Sequence, residues 1–172
     1  MAPPIPQSAR RWHWLVVVAP SLAFLLVYGI YTPNQPLLSP DSQSYLDFSA
    51  IRDGGYPFFL AALKPMVRDL GDIAVLQRII YAAAISVLGY QLLRIDGRVW
   101  LAALACLALL FNIEVNRYHF SILTESMFLS VSALFVAASL AHFRSGAIGA
   151  LAMASALAGV LIAIRQIGRA HV

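Results

Sequence analysis

Polar and apolar positions in this chain are segregated along the sequence rather than interleaved. Five apolar blocks stand out: Trp12–Tyr31, Ile73–Leu93, a third over 99–117, Ile122–Ala141 and Ala147–Ile164. Each approaches the ~20 helical residues needed to cross a hydrocarbon core of about 30 Å. The third is short by itself over Val99–Ile113 and takes Glu114 to Tyr118 as an interfacial end. In lipid, a spanning segment must satisfy its own backbone donors and acceptors, which selects helices for runs of this length. The pattern predicts an all-α, polytopic transmembrane helix bundle of about five spans. Pro20 lies inside the first span, where a kink is expected and neighbouring helices re-satisfy the carbonyl that proline frees. That span ends "YGIYTPNQP" without a small-x-small cleavage site, so it reads as an uncleaved anchor rather than a signal peptide.

The longest interruption, the outer loop 32–72, is the informative one. It opens with the turn signals "TPNQPLLSP". "SPDSQSYLDFSAIR" then predicts a helix with Ser39 as N-cap, Pro40 in the first helical position and Asp41 in the first turn. Tyr45, Phe48 and Ile51 recur on one face, so this helix is expected along the membrane surface. "DGG" ends it. "YPFFLAALKPM" predicts a second short helix, too short to span and read as interfacial or re-entrant.

Composition agrees with the pattern. The chain is 60% apolar and 12% charged, far from the roughly one-quarter charged content of a soluble domain, and a chain this short has too small an interior to hide that much apolar surface. The net charge of +4 forms no basic tract, which argues against nucleic acid as a partner. The charges instead orient the chain. Arg10 and Arg11, Arg94 and Arg98 in "RIDGR", and Arg144 in "HFRSG" fall in alternate connections, which the positive-inside rule assigns to the cytoplasm together with the N-terminus. Trp12, Trp14, Tyr28, Tyr31, Trp100 and Tyr118 mark span ends. The single Cys106 offers neither a disulfide framework nor a metal spacing and reads as a small buried hydrophobe.

Candidate chemistry concentrates on the outer side. Asp41 is placed where a carboxylate can take a proton from an acceptor hydroxyl while a lipid-linked substrate stays in the bilayer; helix-dipole stabilisation explains an aspartate there equally well. Glu125 in "FSILTESMFL" opens the fourth span, with Ser121 as its expected N-cap; acids entering a span usually face the bundle interior or a wet cavity. Arg52, Lys64, Arg78, Arg117, His119 and Arg165 form a surplus of outer cations suited to phosphate, or else to snorkelling. Asp47, Asp53, Asp69 and Asp72 read as solvated loop charges. There is no HExxH, no phosphate-cradling glycine loop and no nucleophile elbow.

In order and spacing, three stretches resemble the N-terminal part of the GT-C membrane glycosyltransferases, nearest to bacterial relatives of dolichyl-phosphate-mannose–protein mannosyltransferase and of the lipid A aminoarabinose transferase. "SPDSQSYLDFSAIRDGGYPFFLAAL" looks like that family's first outer loop, "LQRIIYAA" like the start of its second span, and "LTESMFL" like the Thr-Glu opening its fourth. The resemblance implies transfer of a sugar from a polyprenyl-phosphate donor to an acceptor hydroxyl at the outer face of a bacterial inner membrane. Asp41 matches the acidic position that activates the acceptor, although many members carry two adjacent acids and the neighbour here is Ser42. Glu125 matches a site-shaping position. Tyr45, Arg52, Arg117, His119 and Arg165 are the candidate phosphate or sugar contacts, and a divalent cation is the cofactor left open. Family members are longer, so 1–165 reads as the N-terminal part of such a domain. Residues 166–172, "QIGRAHV", continue no membrane pattern; "IGRAHV" is what the opening of a common sequencing adapter encodes, and the tail is expected to be a non-native read-through. The competing reading is a non-enzymatic polytopic protein, a transporter half or an assembly factor.

Overall fold

The computed structural model describes residues 7–31, 36–47 and 55–165; the side chains of Gln7–Trp12, Asp96 and Arg165 fall outside the description. Eight helices are described: α1 Gln7–Tyr31, α2 Ser42–Leu46, α3 Gly55–Leu63, α4 Leu70–Asp96, α5 Val99–Leu110, α6 Ile113–His119, α7 Thr124–Ser145 and α8 Ile148–Arg165. Among the described residues the only extended pairing is an isolated bridge, Leu37 with Ser121. The chain is an all-α polytopic bundle. Three helices, α1, α4 and α7, are long and apolar enough to cross a membrane. The pair α5 and α6, bent by 59°, makes a fourth if counted as one span. The apolar stretch of α8, Ile148–Ile164, is shorter; at 1.5 Å per residue it covers only about 25 Å.

Local sequence explains where these helices start and stop. Asp69 accepts a hydrogen bond from the Asp72 amide (3.0 Å) and starts α4. Asn112 accepts from the Val115 amide (3.1 Å) and starts α6, which fixes the bend after α5. The two expected short turns are closed by glycines in the left-handed region: Gly97 (φ 72°) after α4 and Gly146 (φ 65°) after α7. A side chain is strained there, which is why glycine recurs at this C-terminal position.

The central helix is α4, packed on α1, α5 and α7, while α8 packs mainly on α7. One core joins Val17 and Phe24 of α1, Tyr81 and Ile85 of α4, and Cys106 and Leu110 of α5. A Cβ at Gly89 would collide with Cys106 Sγ and Val17 Cγ1, so this glycine lets three helices approach. The α7 face buried in the bundle carries Ser126, Ser130, Ala133 and Ala137, the small-residue spacing that brings membrane helices together. Ser86 donates to Ser21 Oγ (2.7 Å) and Ser21 donates to the Ala82 carbonyl (2.9 Å), which ties α1 to α4 beside Pro20. Cys106 is buried, its thiol 3.7 Å from the Ile85 carbonyl.

The faces turned away from these cores are aliphatic. Leu22, Leu26 and Ile30 on α1 and Ile148, Leu151 and Ile162 on α8 are exposed, as helices in contact with lipid chains would be. The bundle's natural surroundings are a lipid bilayer.

A second core closes the end that bears α2, α3 and α6, which we term the upper end. It joins Tyr45, Tyr56, Leu60, Ile73, Ile122, Met127 and Val131. The strand of chain after α1 docks there through the Leu37 amide, which donates to the Phe120 carbonyl (2.8 Å). At Gly55 a Cβ would strike the Ala163 carbonyl, so α3 lies directly on the last turn of α8.

Three local expectations are corrected. The helix carrying the Tyr45 motif starts at Ser42, not at Ser39 or Pro40. The Ser39 carbonyl accepts from the Ser42 amide (2.9 Å) and the Ser39 amide donates to Ser42 Oγ (2.9 Å), which closes a turn ahead of the helix. Tyr45 is buried rather than laid on the membrane surface, because its ring packs edge-on against Tyr56 and its hydroxyl reaches Thr124. Phe48 and Ile51 lie outside the described residues. Finally, α7 has Leu123, not Ser121, at its N-cap; the Ser121 hydroxyl donates instead to the Arg117 carbonyl at the end of α6 (3.0 Å).

Candidate functional site

The upper end gathers polar groups from segments far apart in sequence. Tyr45 Oη on α2 lies 3.4 Å from Thr124 Oγ1 at the start of α7. The Thr124 hydroxyl also donates to Glu125 Oε2 (3.2 Å). One step inward, Gln77 Nε2 on α4 donates to Tyr56 Oη on α3 (2.6 Å), with both side chains fully buried. Burial holds the Tyr56 phenol well above its ordinary range, against the opposing effect of the Gln77 hydrogen bond; the Tyr45 phenol and the Glu125 carboxylate nearby push it the same way as burial. Tyr56 is therefore a neutral wall and not a base.

Asp41 occupies the N-cap position of α2, exposed, with its carbonyl accepting from the Ser44 hydroxyl (2.7 Å). Tyr45 is one turn further along the same helix, so its contact with Thr124 anchors the segment that bears Asp41. Glu125 is exposed in the first turn of α7 and does not point into the bundle interior. Arg117 is exposed and pairs with Glu114 (3.4 Å). Arg52 lies outside the described residues, and Arg165 ends α8 with its side chain undescribed.

Two of the expected outer cations turn inward instead. His119 is completely buried, stacked on Tyr81 with ring centroids 3.9 Å apart, and Nδ1 lies 2.8 Å from Ser126 Oγ. Its Nε2 is buried without a hydrogen-bond partner among the described residues. Arg78 is also buried: Nε donates to the Ala74 carbonyl (3.1 Å), one Nη donates to the Tyr28 carbonyl (3.3 Å), and the guanidinium lies 4.9 Å from the Phe120 ring centroid. The cation thus caps the last turn of α1, where carbonyls lack intrahelical partners. Asn116 completes this layer, donating to Tyr28 Oη (2.8 Å) and the Leu110 carbonyl (2.9 Å). Neither Arg78 nor His119 presents an open surface to a ligand.

The inner pairing was missed from the pattern, and the missed signal is visible in it. Gln77, Arg78 and Tyr81 stand at i, i+1 and i+4 within an apolar helix, and polar side chains at that depth require partners. Asp69 and Asp72 serve as local caps, the latter accepting from the Arg68 amide (2.8 Å). Among the described residues no three His, Cys, Asp or Glu side chains converge in a way that could hold a metal ion.

Fold and site together define a multi-pass membrane helix bundle with a polar, partly buried site at one end. No family model, curated protein or solved structure matches the chain.

Proposed function

We propose that this chain carries the membrane-facing half-site of a GT-C-like glycosyltransferase that uses a polyprenyl-phosphate-linked sugar. It would work at the outer face of a bacterial inner membrane, with its N-terminus in the cytoplasm. The supporting observation is a convergence. The three stretches singled out by resemblance are joined at one end of the bundle: Tyr45 and Tyr56 of the outer loop meet Thr124 of "LTES" and Gln77 of "LQR" respectively. Hydrogen bonds 79 and 21 residues apart in sequence are not produced by local propensity. They are what a site assembled from those motifs requires.

In this reading the Asp41 carboxylate takes the proton of the acceptor hydroxyl as its oxygen attacks the anomeric carbon. The bond from that carbon to the lipid phosphate breaks, and its electron pair leaves with the phosphate. Glu125, held by Thr124, shapes the sugar side of the site. A cation facing the leaving phosphate is needed electrostatically, and Arg52 and Arg165 are its candidates from the sequence. The test is sugar transfer from a polyprenyl-phosphate donor by the purified protein in proteoliposomes. Asp41→Asn is expected to lower the rate at least about a hundredfold, the scale of losing a general base. An unchanged rate in that variant removes Asp41 from the mechanism, and absence of transfer by the wild type from every donor tried sinks the reading.

A further inference from the structure

At the upper end, beside the site just described, a half-open cleft of about 320 Å³ lies between the chain after α1 and helix α6. Its apolar lining is Leu37, Leu38 and Leu123; its polar lining includes Glu114, Arg117 and Tyr118. We propose that this cleft binds the headgroup of a zwitterionic phospholipid bearing a primary ammonium, the Arg117 guanidinium taking the phosphate and the Glu114 carboxylate the ammonium.

Three observations carry this. The first is place. The cleft lies where the bent α5–α6 pair reaches the end of the bundle, and its margin carries exposed apolar groups: Leu37 and Leu38 are 60% and 59% exposed, and Ile113, the neighbour of Glu114 in the chain, is 75% exposed. The second is charge. One acid and one base stand side by side, so a simple anion attracted to Arg117 meets Glu114 as well, whereas a zwitterion satisfies both. The third is availability. The Arg117–Glu114 pair is 3.4 Å apart with side chains 71% and 74% exposed. Exposed pairs of this kind contribute little, so exchanging the partner for a lipid phosphate and ammonium costs little. Charge-assisted hydrogen bonds from a planar guanidinium to phosphate are the stronger kind. A quaternary ammonium has no N–H to give Glu114, so the cleft distinguishes ethanolamine from choline headgroups. Leu37 and Leu123 supply a floor for the glycerol end of the lipid. The proposal stands apart from the glycosyl-transfer reading and needs no catalysis.

The experiment is native mass spectrometry of the purified full chain, titrated separately with dioleoyl-phosphatidylethanolamine, -phosphatidylglycerol and -phosphatidylcholine. The ethanolamine lipid is expected to bind about tenfold more tightly than the other two, the scale of one charge-assisted hydrogen bond. Glu114→Gln should abolish that preference while leaving phosphatidylglycerol bound, and Arg117→Gln should weaken all three lipids. Both side chains are exposed, and the readout is a ratio between lipids, so partial misfolding of a variant does not imitate the result. Equal binding of the three lipids, or a preference that survives Glu114→Gln, overturns the proposal. Competition by free O-phosphoethanolamine as strong as by the lipid also overturns it, since the ligand would then be a soluble headgroup.

Discussion

At the residue scale, the buried pair of Gln77 and Tyr56 shows how polar groups are accommodated in an apolar bundle. The 2.6 Å hydrogen bond satisfies the Gln77 amide nitrogen, while Gln77 Oε1 is buried without a partner among the described residues. Removing only one member leaves a buried donor or acceptor stranded, whereas replacing both by apolar groups removes the need for either. Tyr56→Phe and Gln77→Leu are each expected to destabilise the protein by about 1–3 kcal/mol, and the double variant by clearly less than their sum. Thermal unfolding of the purified variants in detergent measures this; strictly additive losses would show that the pair is not coupled. The same reasoning explains His119. Its imidazole has one close partner, Ser126, and an aromatic face, Tyr81, so it acts as packing that ties α6 to α4 and α7.

At the element scale, close approach of helices depends on small residues placed where neighbours meet. Gly89 stands where α4 touches both α1 and α5, and any Cβ there meets Cys106 and Val17. Gly89→Val should therefore destabilise by about 1–3 kcal/mol, the usual cost of overpacking. At Gly149 on α8 an added methyl group would meet nothing within 4 Å, so Gly149→Ala should be neutral or slightly stabilising through helix propensity. The contrast between the two, read as melting temperatures in one detergent, separates a packing role from a propensity effect; equal losses would contradict the packing described. The amphipathic face expected of α2 has a related explanation. Periodicity shows that Tyr45 belongs on an apolar face, but the surface that covers this face is Tyr56 and Leu60 of the outer loop itself and Met127 of α7 rather than lipid.

At the scale of the whole molecule, the alternation of α1, α4, α5–α6, α7 and α8 puts the turns at Gly97 and Gly146 on one end and α2, α3 and α6 on the other. The arginines Arg94, Arg98 and Arg144 sit at the Gly97 and Gly146 end, which is the cytoplasmic end in the orientation proposed above. A reporter active only in the cytoplasm should report inside when inserted at Gly146 and outside when inserted between Lys64 and Arg68. The reverse pattern overturns the orientation.

That this is a helical membrane protein, and roughly where α1, α4, α7 and the α5 and α8 blocks lie, was legible in the sequence, because long apolar runs separated by the turns at Gly97 and Gly146 leave little alternative in lipid; that α4 begins at an Asp69 cap was not. The sequence also pointed to a short helix in "YPFFLAALKPM", an apolar run with Pro57 and Pro65 near its ends and too brief to span, which the structure gives as Gly55–Leu63. Tertiary structure decided the rest. Whether Arg78 and His119 face lipid headgroups or the interior depends on Tyr28, Phe120, Tyr81 and Ser126, residues from other helices that no window of sequence around either cation contains. The same holds for Ser121, whose hydroxyl is equally suited to capping α7 or closing α6; the docking of Leu37 against Phe120 accompanies the second choice. Hydrophobic pattern specifies which segments leave water. Which polar side chains they carry inward is specified only when the helices pack and each donor finds its acceptor.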